Sequence, residues 1–469
     1  MDFKVAPFFR TTSAYLQPDH TAIKSMNVDS QTCAWKSLWA EEEALFKDVE
    51  NNTAQLCKKN GNSLQRDRTR NSKRRPTQEQ NSNSSPMCSD SQRYNKLLGF
   101  CKLAESNGYE YCWMDTCCID KSSSAELSEA INSMFAYYRN SHICYVYLDI
   151  ETSGDSVTSE ELRSSRWIKR GWTLQELIAP KNVCFFDRHW KFCGSRASLA
   201  PVLTQITHID LRLLHNVYSL GVYSIATKMS WASGRETTRP EDIAYCLFGI
   251  FEVHLPPLYG EGQDAAFKRL QEEIIKNSMD LSFLAWDADL TSLLRPRSGL
   301  ARSPESFRNS GVASYVPLGR SHPFHMTNKG LCLTLPLIDV NITEPTDASQ
   351  TFSEYIMVLP GSILTNIDEP PKINVRVRIW QDNWENIYYR CPGLVNRPEI
   401  VEPSSQQLSE AQTKKFYLAV RDLPPDMLKR YFPSSQQLSE AQTKKSYLAV
   451  RDLPPDMLKR YFPGRTSLM

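Results

Sequence analysis

No apolar run in this 469-residue chain approaches the roughly 18 residues a membrane-spanning helix needs; the best, residues 244–251, is far too short. Neither charge sign dominates: 55 Lys and Arg stand against 53 Asp and Glu, a net of +2. That balance gives no global electrostatic reason to expect a nucleic-acid or anionic-membrane partner. There is no Cys-x-x-Cys, and the 8 histidines are not placed to complete a four-ligand zinc set, so no metal site is expected. The first residues, Met1-Asp2-Phe3-Lys4-Val5, do not form a basic segment leading into an apolar core, which argues against secretion and for a cytoplasmic protein.

What is present is enough for real cores, with 41% hydrophobic residues and a length that allows two or three domains. The 13 cysteines fall mostly in apolar strings such as Ile143-Cys144-Tyr145-Val146 and Val183-Cys184-Phe185-Phe186, where a buried, reduced thiol is the expected state. Residues 58–93 hold Asn, Ser, Gln, Lys and Arg with almost no large apolar side chain. Such a stretch cannot bury enough surface to offset its ordering entropy and reads as disordered. Its basic residues, Arg66 to Arg75, read as a solvated linker in preference to a nuclear-import or nucleic-acid patch.

From Tyr94 the texture alternates. Leu97, Leu98, Cys101 and Leu103 mark a helix face closed by Asn107-Gly108, and residues 109–114 alternate as a strand. Ser123-Ser124-Ala125-Glu126 has the pattern of a capping box, and Leu127, Ile131, Met134 and Tyr138 continue at helical spacing. A strand over 142–148, a short helix over 171–178 stopped by Pro180, and a strand over 182–186 follow. Helix alternating with strand is the signature of a parallel sheet covered by helices, with ligands at the carboxyl ends of the strands. Residues 222–286 read as mostly helical. From about Leu293 short β-like segments predict a β-rich module. Residues 404–433 recur as 434–463, differing only at Phe416 against Ser446. Two near-identical copies fall short of the three or so that a solenoid needs, so the second copy is expected to have no place in the fold.

Several strings carry a resemblance. Tyr111-Cys112-Trp113-Met114-Asp115-Thr116-Cys117-Cys118-Ile119-Asp120-Lys121, then Glu126, Met134 and Tyr138, then Arg170-Gly171-Trp172-Thr173-Leu174-Gln175-Glu176-Leu177 stand in the order and spacing of the fungal heterokaryon-incompatibility (HET) domain. Met229-Ser230-Trp231-Ala232, Arg235 to Arg239, Asp242 to Gly249 and Leu258-Tyr259-Gly260-Glu261-Gly262 resemble the helical extension of such proteins. The resemblance covers roughly 190 residues. It implies an α/β fold: a TIR-like parallel sheet flanked by helices, then a helical extension and a β-rich C-terminal module. The corresponding segments are 1–57 (the start of the HET domain with its first strand), 58–93 (the basic insertion), 94–220 (the HET domain proper), 221–290 (the helical extension), 291–402 (the β-rich module) and 403–469 (the duplication and tail).

HET domains look like relatives of TIR domains, and Trp172-Thr173-Leu174-Gln175-Glu176-Leu177 has the spacing of the TIR string whose glutamate cleaves the nicotinamide–ribose bond of NAD. The resemblance nominates Glu176 as a catalytic carboxylate. It makes NAD a candidate substrate, not a resident cofactor, with Trp39, Asp115 and Trp172 as candidate nucleotide contacts. A fixed carboxylate can stabilise the positive charge that builds on the ribose carbon, and the early turns of a helix favour its ionised form. Trp172, one helical turn earlier, could face the same pocket and stack on a planar ring. Other readings stay open. Glu176 could be a surface carboxylate or a partner of Arg170 or Arg166, and Asp115 the cap of the next turn. Cys117 or Cys118 with His142 lacks any orienting or oxyanion group that would make a nucleophilic site.

The first-strand motif departs from the family: where Ser-His-Thr-Trp-Gly is usual, this chain has Lys36-Ser37-Leu38-Trp39-Ala40 after a weakly apolar Ser30 to Ala34. Three functions follow. The first is an incompatibility effector that triggers cell death by self-association or by binding another incompatibility or sensor protein. The second is a NAD glycohydrolase centred on Glu176, and the third an inactive divergent copy. The Gly-x-x-x-x-Gly-Lys-Ser/Thr loop of the nucleotide-binding domain found in some HET proteins is absent, which points to a separate sensor.

Overall fold

The computed structural model describes residues 9–10, 32–35, 87–286, 298–308, 310, 313–314, 322–339, 352–363, 374–382, 387–390 and 412–421. The chain divides into two compact units, residues 1–219 with 235–257, and residues 220–234 with 258–469.

The first unit is built on a six-stranded sheet. Its strands are β1 (Phe9–Arg10), β2 (Thr32–Trp35), β3 (Tyr111–Met114), β4 (Ile143–Tyr147), β5 (Val183–Phe186) and β6 (Phe192–Ser195), in the order β1-β3-β2-β4-β5-β6. Strand β2 pairs in parallel with both β3 and β4, and β4 in parallel with β5; β1 and β6 run antiparallel at the edges. The antiparallel edge strands were not visible in the sequence pattern. Helices fill the crossovers: α1 (Met87–Ser106) before β3, α2 (Asp115–Cys118) and α3 (Ser124–Asn140) before β4, then α4 (Ser159–Ser164), α5 (Arg166–Lys169) and α6 (Thr173–Ile178) before β5. The chain steps from β2 to β3 on one side and then returns to β4 on the other. That reversal is the switch point at which open α/β sheets bind ligands. The weakly apolar Thr32-Cys33-Ala34 thus lies in the central strand, because a strand paired on both sides is held by its backbone ladder.

Local chemistry explains these elements. All four side chains of β3 are buried and do not alternate in exposure as the sequence reading expected. Parallel strands covered on both faces bury both sets of side chains. Helix α3 turns Ile131, Met134 and Tyr138 inward at the expected spacing. Its Ser123 cap accepts from the Glu126 amide, while the Glu126 side chain accepts from the Asp120 amide at 2.8 Å, so only half of the predicted capping box forms. Helix α1 starts at Met87, so residues 87–93, predicted to be disordered, are helical; residues 58–86 of that stretch lie outside the described residues.

After β6 come α7 (Arg196–Thr207) and α8 (Leu211–Leu214) in the first unit, α9 (Ile225–Ala232) in the second, α10 (Asp242–Tyr245) in the first and α11 (Gln263–Asn277) in the second. In the second unit a seven-stranded sheet follows. It comprises β7 (Ala313–Ser314), β8 (His325–Thr327), β9 (Gly330–Asp339), β10 (Phe352–Ile363), β11 (Asn374–Asp382), β12 (Ile387–Arg390) and β13 (Gln412–Leu418). The order is β7-β10-β11-β12-β13-β9-β8, and β9 also pairs with β10, so five strands close into a ring. Leu331, Leu333, Leu335 and Leu337 of β9 are buried at a spacing of two, as are Tyr355, Met357 and Leu359 of β10. Helix α11 buries Phe267, Leu270, Ile274 and Ile275. Its buried Gln271 exchanges two hydrogen bonds with the Ala301 backbone, at 2.8 and 3.0 Å. Among the described residues no helix is long and apolar enough to cross a membrane.

Candidate functional site

The most distinctive string of the sequence, Arg170 to Leu177, is a docking station for residues 235–246 of the same unit. The Gly171 amide donates to Glu236 O at 2.9 Å, and the Glu236 amide donates to Lys169 O at 2.6 Å. A Cβ at position 171 would fall 2.7 Å from Thr237 Cγ2, so only glycine allows this approach. Trp172 Nε1 donates to Asp242 Oδ2 at 3.0 Å, and Gln175 Nε2 donates to Cys246 O at 2.6 Å. Arg235 Nη1 donates to Arg170 O at 2.9 Å and to Thr173 Oγ1 at 3.1 Å. All six residues of α6 are buried.

Glu176 lies at the centre of this arrangement. It is 1% exposed, and its Oε2 accepts a 2.8 Å hydrogen bond from Trp167 Nε1. Trp167, itself buried, stands edge-on to Phe185 of β5, which fixes the donor. Burial lowers the pKa of the Arg235 guanidinium to about 10, against the opposing pull of Cys246 and of the Glu176 carboxylate; it remains a cation at neutral pH. Tyr138 is fully buried, and its hydroxyl is held well above its ordinary pKa, first by burial and then by the Glu176 and Asp115 carboxylates. Its oxygen has no hydrogen-bond partner among the described residues, and neither has Trp113 Nε1, whose ring lies 5.6 Å from that of Tyr138.

The structure therefore corrects several readings. Glu176 is not a surface carboxylate: it is buried and accepts from the Trp167 indole. Arg166 pairs with Asp149, Nε to Oδ2 at 2.5 Å. The Trp172 indole donates to Asp242, and the indole bonded to Glu176 is that of Trp167. Asp115 is the first residue of α2 and not its cap, which is Met114 with no side-chain bond. It is 9% exposed and, with Glu176, acts on the Tyr138 hydroxyl. Trp39 lies outside the described residues. The Cys117 thiol is pushed well up by burial, and His142 Nδ1 lies 2.5 Å from Tyr109 Oη, so neither forms a nucleophile–base pair. Trp167 and Arg235 went unrecognised as members of the site, although Arg235 stands in a quoted string, because only the fold brings them to Glu176.

The carboxyl ends of the parallel strands are also acidic, since β3, β4 and β5 run into Asp115, Asp149 and Asp187. Asp149 accepts from Ser165 Oγ, Arg166 N and Arg166 Nε. These bonds hold its carboxyl below the usual range although burial pushes the other way. Asp187, 2% exposed, accepts from the amides of His189 and Lys191 and from Thr152 Oγ1. Asp149 and Asp187 thus tie down the loops that follow their strands. Among the described residues no group of three His, Cys, Asp or Glu could hold a metal ion.

The family model for the heterokaryon incompatibility protein (HET) matches residues 62–159, a span that includes Asp115 and ends before Trp172 and Glu176. The chain is also 47% identical over 190 residues to vegetative incompatibility protein HET-E-1 of Podospora anserina. Residues 62–159 therefore resemble a HET domain. The match to that relative covers 39% of this chain and 14% of the relative, so the chain spans a small part of the length of the curated protein it resembles. No solved structure matches. The Arg170 to Leu177 string has a packing role: Gly171, Trp172, Thr173, Gln175 and Glu176 all bond groups within residues 165–246.

Proposed function

We propose that this protein is a HET-domain effector of vegetative incompatibility, which triggers programmed cell death in fungal self/non-self recognition. It acts by self-association or by contact with another incompatibility or sensor protein. The observation that carries the role is the 47% identity to a vegetative incompatibility protein. The contact mode is favoured by the state of Glu176, which is buried, bonded to Trp167 and enclosed with Arg235, and so stabilises the domain instead of facing a substrate. Three carboxylates at the strand ends also disfavour the pyrophosphate of a dinucleotide. The test is to express the chain in fungal cells with Glu176→Gln, a substitution that keeps an acceptor for Trp167. The variant is expected to kill as the parent does, and loss of killing by a folded variant would refute the contact mode.

A second reading, a TIR-type NAD glycohydrolase using Glu176, is supported by one observation: the parallel strands stand in the doubly wound order, with β2 at the switch point. In that reading Glu176 must become exposed, for example on oligomerisation. Purified protein at high concentration, incubated with NAD, would then release nicotinamide, and Glu176→Gln would abolish the release. The expected result is no release from either protein.

A further inference from the structure

The second unit contains a place for one strand, and the chain carries two segments that match it. Strand β13 closes the five-stranded ring: it runs antiparallel to β9 from Gln412↔Leu337 to Leu418↔Leu331, and parallel to β12 through Tyr417↔Ile387 and Leu418↔Tyr388. The slot is built to shape. Phe416 is fully buried with its ring 4.9 Å from that of Tyr388, and Leu418 and Ala419 are buried beside it. The Ala419 amide donates to Tyr388 O at 2.8 Å, and Ala419 O accepts from the Gly299 amide at 2.7 Å. A Cβ on Gly330 would come within 2.3 Å of Leu418 O, and one on Gly299 within 2.4 Å of Leu418 Cδ2. Residues 442–450 repeat 412–420 at every position but one, with Ser446 in place of Phe416; they lie outside the described residues.

We propose that the slot accepts either copy, and that position 416/446 is the side chain that decides which one closes the ring. Backbone pairing, Leu418, Ala419 and the close approaches at Gly299 and Gly330 are satisfied equally by Leu448 and Ala449. Ser446 would place a hydroxyl and an empty volume where the Phe416 ring packs against Tyr388. Ser446 thus disfavours the second copy in the slot, and a single substitution turns that copy into a competitor. The remaining bias is the length of the connection. Arg390 is 22 residues from Gln412 and 52 from Gln442, which at the −3/2 power of loop length favours the first copy by about four to one.

A cross-strand thiol reads the choice directly, because Cys332 faces Tyr417. Full-length Tyr417→Cys, treated with diamide and mapped by peptide mass spectrometry, is expected to form a 332–417 bridge, and Tyr447→Cys no 332–447 bridge. In the Phe416→Ser/Ser446→Phe background the two results are expected to reverse. Should that exchange fail to fold, Ser446→Phe alone leaves the first copy intact. With both cysteines added, the 332–417 and 332–447 bridges should then form at about four to one. A chain carrying Ser446→Phe in which residue 447 never bridges Cys332, or bridges it only between molecules, would overturn the proposal.

Discussion

Replacing Glu176 tests whether its carboxylate serves the fold or a substrate. Glu176→Ala removes the acceptor of the buried Trp167 indole, opens a small cavity, and leaves the Arg235 cation without the carboxylate that favours it. Loss of a hydrogen bond to a charged group is worth about 1.5–3 kcal/mol, and the cavity and the lost attraction to Arg235, which keeps Arg170 O and Thr173 Oγ1, put the expected loss at the upper end, about 3 kcal/mol. For a unit of this size, each kcal/mol moves the melting temperature by about 2–4 °C, which gives a drop of about 6–12 °C. Glu176→Gln keeps an acceptor for Trp167 and should lose less than half as much. Circular dichroism melts of parent, Gln and Ala proteins measure the series. An Ala variant that melts within about 2 °C of the parent would refute the reasoning and return Glu176 to a role at an exposed site.

Other substitutions probe the same packing. Trp172→Phe and Asp242→Ala should each cost about 1–3 kcal/mol by unfolding. The double variant should cost little more than either alone, because both remove one bond; additive losses would show that the bond contributes nothing. Tyr138→Phe removes a buried hydroxyl that lacks a partner among the described residues, so the melting temperature should hold or rise. A fall of several degrees would reveal an acceptor for that hydroxyl. Glu161 accepts from the Thr158 and Ser153 amides first, and from their hydroxyls, which lowers its pKa from 4.5 to about 2. A depressed carboxylate contributes stability above its unfolded pKa and loses it as pH falls through the folded one. The stability gap between the parent and Glu161→Gln should therefore be full above about pH 5 and shrink toward pH 2; a gap independent of pH would contradict the assignment.

The alternation of helix and strand between Tyr94 and Phe186 was legible because it rests on local periodicity and on stop signals such as Gly108 and Pro180. Strand exposure was less legible. The Tyr111 to Met114 segment is covered on both sides by elements that its own sequence does not describe. The site was harder still. The string containing Trp172 and Glu176 could be recognised, but its bonding depends on Asp242, Cys246 and Arg235, some 60–70 residues onward. Trp167, nine residues before Glu176, carried no periodic signal that would place its indole on that carboxylate. The central position of Thr32–Trp35 was hidden for a related reason, since backbone pairing on both sides sets it more than side-chain pattern does.

The most direct test of the account is killing by the full-length chain carrying Glu176→Gln in fungal cells, scored beside the melting temperature and the cellular NAD level. The account predicts a folded variant that kills as the parent does, with NAD untouched by either before death. A folded variant that no longer kills, beside a parent that depletes NAD, would contradict it and make Glu176 a catalytic residue.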